Sequence, residues 1–307
     1  MNNIKYNFIK IESINKGSNF FNLNVIGQEK NRFSIKINDD LKEYNYLVDH
    51  IYWVKLNILP DEKRENKTNI FLLEIKELLE LNYEIKEVES ILKNFFELKV
   101  ELEKNKNLIF RYAESMENVK LKEITFYILT KFKYQYFVYP AAMKLHHSYI
   151  GGLVDHTLGM LKLADSLLAV YPGLNKSLIY SGILLHDVMK VFEFSDYINP
   201  AFTKKGSLIG HISMIMNEVN LASHIYKYED SEEILMLEHI LLSHHGQFNF
   251  GSPKRPQTAE AFIVNYIDSL DSKMVEIIDA LNKTNDLEFT EPIGVCDKLP
   301  FYKHNIK

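Results

Sequence analysis

The stretch LLHDVMK, Leu184–Lys190, places a histidine directly beside an aspartate at the end of an apolar run. A helix that otherwise favours burial has little reason to carry an imidazole next to a carboxylate, because buried polar groups cost free energy unless they are paired. This stretch alone leaves two interpretations open. His186 is either a buried histidine bonded to a neighbour, or one of a pair of metal ligands with Asp187.

The other histidines favour the second interpretation. Nine of the 11 histidines fall between His146 and His245. Several polar residues interrupt separate apolar runs: His156 in GLVDHTL, His211 in LIGHISM, His244 and His245 in LLSHHGQ, and Asp268 in NYIDSLD. A single histidine on an apolar helix is usually a core residue, but this repeated pattern is harder to explain by packing. A bound cation would offset the desolvation of such groups, and imidazole with carboxylate favours a borderline or hard divalent ion.

Composition excludes several classes of protein. The chain has 307 residues, 46% of them hydrophobic, and no apolar run approaches the roughly 18 residues of a membrane span. The start of the sequence lacks the apolar core of a signal peptide, and the single Cys296 cannot form an internal disulfide, so we expect a cytoplasmic protein with no membrane partner. The net charge of −5 means that nucleic-acid binding would depend on local basic clusters.

The hydrophobic pattern divides the chain into a part with the pattern of strands and a part with the pattern of helices, which predicts an α+β multidomain protein. Residues 1–75 contain strand-like segments separated by turn-like stretches: Tyr6–Glu12, Phe20–Ile26, Arg32–Ile37, Ile51–Ile58 and Asn69–Ile75. Five short strands suit a small barrel of the OB type, and another small β domain fits nearly as well. Asp40–Tyr46 is a candidate for a short helix inserted between strands.

Helical periodicity follows from about Lys76. We predict a helical connector over residues 76–115, a helical domain over 116–283 and a C-terminal tail over 284–307.

The motifs of the helical half resemble a known family. The order His, His-Asp, His, His-His, Asp is that of the HD phosphohydrolase superfamily. The runs YPAAMKLHHSYIGGLVDHTL, SGILLHDVMK, GSLIGHI, LLSHHG, GSPKRPQTAEA and NYIDSLDSKM are similar to those of YhaM-type 3′→5′ exoribonucleases. That family joins an N-terminal OB domain to a helical HD domain, in agreement with these two parts of the chain.

The resemblance implies a set of metal ligands, carried over position by position: His156, His186, Asp187, His211, His244, His245 and Asp268. By analogy with dinuclear HD sites, Asp187 would bridge two divalent ions, with Mn²⁺ favoured and Fe²⁺, Mg²⁺, Co²⁺ or Zn²⁺ as alternatives. The adjacent His244 and His245 can both face one site only near a helix end, and Gly246 is a suitable terminator. Ligation by only one of the two is the alternative.

Further residues are candidates for roles around the metals. Lys190 lies four positions after His186, hence on the same helical face, and could stabilise charge on a phosphate. Asp187 and Lys190 are therefore the predicted catalytic residues, and an ordinary surface lysine is the alternative for Lys190. Lys254 and Arg255, in the loop GSPKRPQT, could guide an RNA backbone, and a solvated turn is the alternative.

The sequence leaves open the roles of several other residues in the helical half. The family usually has glycine where this chain has Met189, which could alter access to the site. His146 and His147 match the paired histidines of the family, and either could line a substrate channel or cap a helix. His239 lies outside the family pattern and suits either packing or contact with a metal-ligating residue. Asp271, three residues after Asp268, could orient a ligand histidine or lie on the surface.

The expected function is metal-dependent removal of nucleotides from the 3′ end of single-stranded RNA, with single-stranded DNA as a further substrate. Two alternatives stay open: an HD phosphohydrolase of small nucleotides, and a non-catalytic RNA-binding protein. A tethering role of the barrel would use aromatic residues such as Phe20, Phe21, Tyr46 or Tyr52, several of which also suit its core. A homo-oligomer is compatible with the sequence.

Overall fold

The computed structural model describes residues 3–18, 20–61, 64, 67–144 and 147–306. The chain divides into two compact units, Met1–Leu98 and Lys99–Lys307. The first unit is built on strands and the second on helices, which confirms the predicted α+β class. The connector predicted for residues 76–115 contains one helix of each unit, and the predicted domain bounds themselves stay predictions.

Among the described residues of the first unit, five strands form a closed barrel: β1 Asn3–Gly17, β2 Phe20–Gly27, β3 Arg32–Lys36, β4 Ile51–Pro60 and β5 Thr68–Glu77. Their order around the barrel is β1-β2-β3-β5-β4, with β3 and β5 parallel and the other pairs antiparallel. A bulge between Ile11 and Ser13 interrupts the register of β1, and such a bulge bends a strand so that one long strand can serve two neighbours. The predicted OB-like barrel is therefore confirmed.

The interior of the barrel follows from alternation along its strands. In β2, Phe21, Leu23 and Val25 point into the core while the residues between them are only partly buried. Tyr46 and Tyr52 are also core residues, so three of the four aromatic candidates for RNA stacking are packed inside. The exposed candidate is Phe20.

Two details of the first unit differ from or add to the sequence expectation. The short helix expected within Asp40–Tyr46 is a single 3-10 turn at Asp39–Leu41. On the outside of the barrel, Tyr6 lies stacked against Trp53, with the ring centroids 5.7 Å apart. The unit ends with a 3-10 turn at Leu78–Leu81 and helix α1, Ile85–Lys93.

Over residues 99–144 and 147–306, which the structure describes, the second unit contains ten helices. They are α2 Leu102–Glu114, α3 Val119–Lys131, α4 Lys133–Val138, α5 Gly152–Val170, α6 Lys176–Leu185, α7 Lys190–Glu193, α8 Lys204–Ile209, α9 His211–Tyr226, α10 Glu232–Ser243 and α11 Ala259–Lys283. Helix α5 packs against α2, α4, α6 and α11, and α6 also packs against α3, α10 and α11. Two strongly apolar helices, α5 and α6, thus lie at the centre of the unit.

The last residues fold back along the second unit. A 3-10 turn at Gly294–Cys296 packs against α11, and Phe289 bridges to Tyr302 in a short antiparallel contact. Cys296 is a buried free thiol. None of the helices in the described ranges combines the length and apolarity that crossing a bilayer requires.

Candidate metal centre

Helix α6 explains why the stretch Leu184–Lys190 carries a histidine beside an aspartate. Every residue from Ser177 to Leu185 is buried, so the helix threads the middle of the unit. His186 caps its C-terminal end and Asp187 begins the turn that leads to α7, which places both side chains in the interior of the unit. The apolar run is therefore the buried helix that positions His186 and Asp187 in the interior of the unit.

The other predicted ligands reach this site from four further elements. His156 projects from the second turn of α5 and Asp268 from α11, and His211 is the first residue of α9. His244 caps the C-terminal end of α10, with His245 directly after it. Gly246 then adopts a φ of +75°, which terminates the helix as expected from the sequence.

The seven predicted ligands lie together, and we call them the inner cluster: His156, His186, Asp187, His211, His244, His245 and Asp268. Ligand atoms of Asp187, His211, His244 and His245 lie within 4.8 Å of one another, and so do those of His156, His186 and Asp187. Asp187 is the shared member of the two groups. Oδ1 of Asp268 lies 3.2 Å from Nε2 of His156, on the same side as the second group.

Four histidines of the inner cluster are held in one orientation by their Nδ1 atoms. His186 and His244 donate from Nδ1 to the carbonyl oxygens of Ile183 and Leu241, at 2.8 and 2.7 Å. Each ring therefore turns Nε2, with its lone pair, toward the centre of the cluster. An outward hydrogen bond of this kind selects the tautomer and orients a metal-binding histidine.

The other two of these histidines are oriented by carboxylates. Nδ1 of His211 lies 2.8 Å from Oε2 of Glu193, and Nδ1 of His156 lies 2.7 Å from Oδ2 of Asp271. Glu193 was not among the residues singled out from the sequence. Its position within the apolar and aromatic run VFEF is the only signal that could have indicated a buried carboxylate.

Several atoms of the inner cluster are buried without a hydrogen-bond partner among the described residues. They are Nε2 of His186, Nε2 of His211, Nε2 of His244 and Oδ1 of Asp187. Leaving such atoms unpaired costs free energy, and together they form an acceptor-rich set around one carboxylate. The donor set is imidazole and carboxylate without thiolate, so these residues fit a divalent cation of the borderline or hard type.

The charges of the centre perturb its protonation. Burial would raise the pKa of Asp187, but His186 and Lys190 outweigh it and hold that pKa well below its usual value. Burial lowers the pKa of His244 well below its usual value, with His245 adding to the effect. Asp187 is therefore a carboxylate and His244 a neutral imidazole near pH 7, the forms that bind metals.

Lys190 is the cation nearest to Asp187. Its Nζ lies 2.7 Å from Oδ2 of Asp187 and the side chain lines the cavity above the cluster. Burial works against its charge, but Asp187 outweighs that effect and raises the pKa of Lys190. The ammonium group is consequently charged at neutral pH.

A second set of polar residues surrounds His156, and we call it the outer cluster: His147, Tyr149, Asp155 and Asp271. Oδ2 of Asp271 lies 3.2 Å from Nε2 of His147 in addition to its contact with His156. The Tyr149 hydroxyl donates to Asp155 at 2.6 Å and lies 3.0 Å from Nδ1 of His147. Burial would lower the pKa of His156, but Asp268 and Asp271 raise it to about 9.

An open cavity of about 700 Å³ leads to the inner cluster. Its walls include His156, Asp187, Lys190, His245 and Asp268, together with residues of the loop and helix that follow His245. Arg255 lines this cavity, with its guanidinium 5.7 Å from the ring centroid of Phe248. Lys254 is exposed and lies outside the lining.

The structure also places the residues whose roles the sequence left open. His147 belongs to the outer cluster, and His146 lies outside the described residues. Nε2 of His239 accepts a hydrogen bond from the backbone N–H of Gln257, so His239 anchors the loop before α11. Met189 is buried and lies outside the cavity lining.

The comparisons agree with this geometry. Residues 153–273 match the HD domain family. Over 195 residues the chain is 44% identical to the 3'-5' exoribonuclease YhaM of Geobacillus sp. (strain WCH70). The aligned region covers 64% of this chain and 60% of that protein. The resemblance to YhaM-type exoribonucleases indicated by the motifs is thereby confirmed. No solved structure matches the chain.

Proposed function

We propose that this protein is a metal-dependent 3′→5′ exoribonuclease, which hydrolyses phosphodiester bonds at the end of single-stranded RNA. The observation that carries the proposal is the set of buried, unpaired nitrogen and oxygen atoms around Asp187, which suits a cation at the base of an open cavity. The name of the similar Geobacillus protein supports the choice of RNA as substrate.

The proposed metal complement is two divalent ions. His156, His186 and Asp268 would hold one ion and His211, His244 and His245 the other, with Asp187 between them. Mn²⁺ is our first choice because it accepts both imidazole and carboxylate ligands, with Fe²⁺, Co²⁺, Zn²⁺ and Mg²⁺ as alternatives. Bound at these residues, such ions would supply neutralisation of the phosphodiester charge and a more acidic water.

The protein's own groups prepare the site for an anionic substrate. Lys190 carries a positive charge at the cavity wall, where it can donate to a phosphate oxygen on which charge develops. Arg255 adds a second cation at the mouth. Glu193 and Asp271 keep the rings of His211 and His156 in the orientation that the proposed ligation needs.

The barrel is proposed to hold the RNA chain beyond the site of hydrolysis. Tyr6 is 61% exposed, its ring is stacked on Trp53, and Nζ of Lys55 lies 6.0 Å from the ring centroid of Tyr6. An exposed aromatic ring beside a cation suits a stacked base and its phosphate. Tyr6→Ala should weaken binding of a long RNA and leave a trinucleotide unaffected, while Ile4→Ala, on the same face of β1, serves as the aliphatic control.

The decisive experiment follows the ends of the substrate. Metal-reconstituted protein should convert 5′-labelled single-stranded RNA into a ladder that shortens from the 3′ end, whereas 3′-labelled RNA should release labelled mononucleotide first. Parallel reactions contain single-stranded DNA and free nucleotides. Hydrolysis of free nucleotides alone would favour the small-nucleotide phosphohydrolase, and RNA binding without hydrolysis would favour a non-catalytic protein.

A further inference from the structure

Two aromatic side chains stand exposed on α11 beside the inner cluster. Phe262 and Tyr266 are separated by one helical turn and are 59% and 60% exposed. Their ring planes are inclined by only 15°, with centroids 6.3 Å apart. Two large, nearly parallel aromatic rings are thus left exposed to solvent next to each other, where they add nothing to the buried core of the unit.

The position of these rings connects them with the proposed reaction. Both line the cavity that contains Asp187 and Asp268, and Tyr266 precedes Asp268 by only two residues on the same helix. A cavity of about 700 Å³ lies within the range of roughly 300–1,000 Å³ that is typical of ligand sites. A substrate whose phosphate reaches the inner cluster would therefore pass along the two rings.

The charges around the rings indicate which substrate they suit. Lys273 lies two turns after Tyr266 and lines the same cavity, as do Arg255 and Lys190. Aromatic faces interleaved with cations are the features by which proteins bind single-stranded nucleic acids without sequence preference, because every base offers a π-face. An apolar partner would gain nothing from the three cations.

We propose that Phe262 and Tyr266 form a stacking platform for bases at the 3′ end of the single-stranded polynucleotide substrate. This inference rests on the proposed function, which it deepens by assigning the residues that hold the bases. The platform positions the strand through its bases, so the terminal phosphodiester lies at the inner cluster without any dependence on base identity.

A second copy of the chain is the competing occupant of this surface. Leu270, Met274 and Ile278 continue the row of exposed apolar residues along α11, as an oligomer interface would require. These aliphatic residues lie outside the cavity lining, whereas Phe262 and Tyr266 lie within it. Met274→Ala is therefore a matched control that changes the same helical row without touching the platform.

The test measures whether the rings recognise bases. Binding of a 5′-fluorescein RNA decamer is followed by fluorescence anisotropy in EDTA, which prevents metal-dependent cleavage, and is compared with a decamer whose last three nucleotides lack bases. We expect the wild-type chain to bind the abasic RNA about 5- to 150-fold more weakly, the range that stacking of one base corresponds to. The double variant Phe262→Leu with Tyr266→Leu should bind both RNAs equally, while Met274→Ala behaves as wild type.

The outcomes separate the platform from the chemistry. Undiminished preference of the double variant for the intact RNA would overturn the platform. Dissociation of an oligomer by both the double variant and Met274→Ala, with RNA binding unchanged, would also overturn it and assign the row to subunit contact. Base-dependent binding by a wild-type chain that never cleaves RNA with added metal would support the platform and overturn the proposed function.

Discussion

The inner cluster contains His156 and the outer cluster surrounds it, but the polar atoms of the two clusters are paired in opposite ways. In the outer cluster, Oδ2 of Asp271 has two histidine partners, at 2.7 and 3.2 Å. In the inner cluster, Oδ1 of Asp187 has no hydrogen-bond donor among the described residues, although Nε2 of His211 lies 3.3 Å away. Asp187 is buried and Asp271 is partly buried, each beside histidines, so proximity alone does not distinguish a proposed ligand from a residue that orients one.

The difference lies in what completes each cluster. The outer cluster is complete as a hydrogen-bond network of the protein itself, and a network of this kind orients side chains. The inner cluster has atoms that no group of the described residues pairs with, and a cation is the partner that suits them. Unpaired buried atoms are thus the more informative sign of a metal site than a count of neighbouring histidines.

The largest expected effect comes from Asp187→Asn, which keeps the shape of the side chain and removes its charge. Because Asp187 is the residue shared by both groups of ligand atoms, activity on RNA should fall by more than about 100-fold, the upper limit for loss of an outer partner. Bound metal, measured by elemental analysis, should fall in parallel. Near wild-type cleavage by a folded variant would contradict the two-ion arrangement.

The next effect tests the outer cluster through Asp271→Asn. Loss of the carboxylate removes one anionic partner from each of the His156 and His147 rings, so metal affinity or activity should decrease by about 10- to 100-fold. Asp279→Asn, an exposed position two turns later on α11, is the matched control. If Asp271→Asn were as severe as Asp187→Asn, the distinction between the two clusters would fail.

Glu193→Gln sharpens the comparison from the opposite side. Glu193 contacts Nδ1 of His211 at 2.8 Å. The substitution should therefore lower the affinity for the ion proposed at His211, His244 and His245 by about tenfold. A glutamine oxygen can still accept this hydrogen bond, which makes the effect smaller. Titration with Mn²⁺ should show that one ion binds more weakly than in the wild type and that the other binds with unchanged affinity. Equal loss of affinity at both ions would contradict the assignment.

How much of this arrangement was predictable follows from the range of the interactions. The strands of the barrel and the donors of the inner cluster stand in local patterns, such as the alternation of β2 and the apolar run before His186. The partnership of His156 with Asp271 joins residues 115 positions apart, and local patterns carry no information on such pairs. The exposure of Phe262 and Tyr266 was equally inaccessible, because an aromatic residue at helical spacing usually predicts a core position.

The pH dependence of the metal-free protein should also separate the clusters. The pKa of His244 is lowered by burial, so the unfolded chain takes up the proton first and stability decreases as pH falls below about 6.5. The pKa of His156 is raised to about 9, so its contribution is present below about pH 6.5 and is lost as pH rises toward 9.

Stability of the metal-free protein should therefore be greatest near pH 6.5. Thermal melts in EDTA should show midpoints that decrease by several degrees on either side, since about 1 kcal/mol corresponds to about 2–4 °C in a unit of this size. Asp271→Asn should flatten the alkaline side by removing one acceptor of His156. Added Mn²⁺ should stabilise more at pH 8 than at pH 6, because its ligands must be deprotonated.

The smallest expected effect concerns the basic loop, where Arg255 lines the cavity and Lys254 does not. Each phosphate contact with a single strand contributes about −0.7 to the slope of log K against log salt concentration. Arg255→Ala should thus weaken RNA binding a few-fold and reduce the magnitude of this slope by about 0.7, whereas Lys254→Ala should leave the slope unchanged. Arg255→Lys retains the charge and should retain most of the slope. A larger change in the slope for Lys254→Ala than for Arg255→Ala would contradict this assignment. It would mean that RNA approaches the inner cluster across the outer side of the loop, past His239, and not through the cavity.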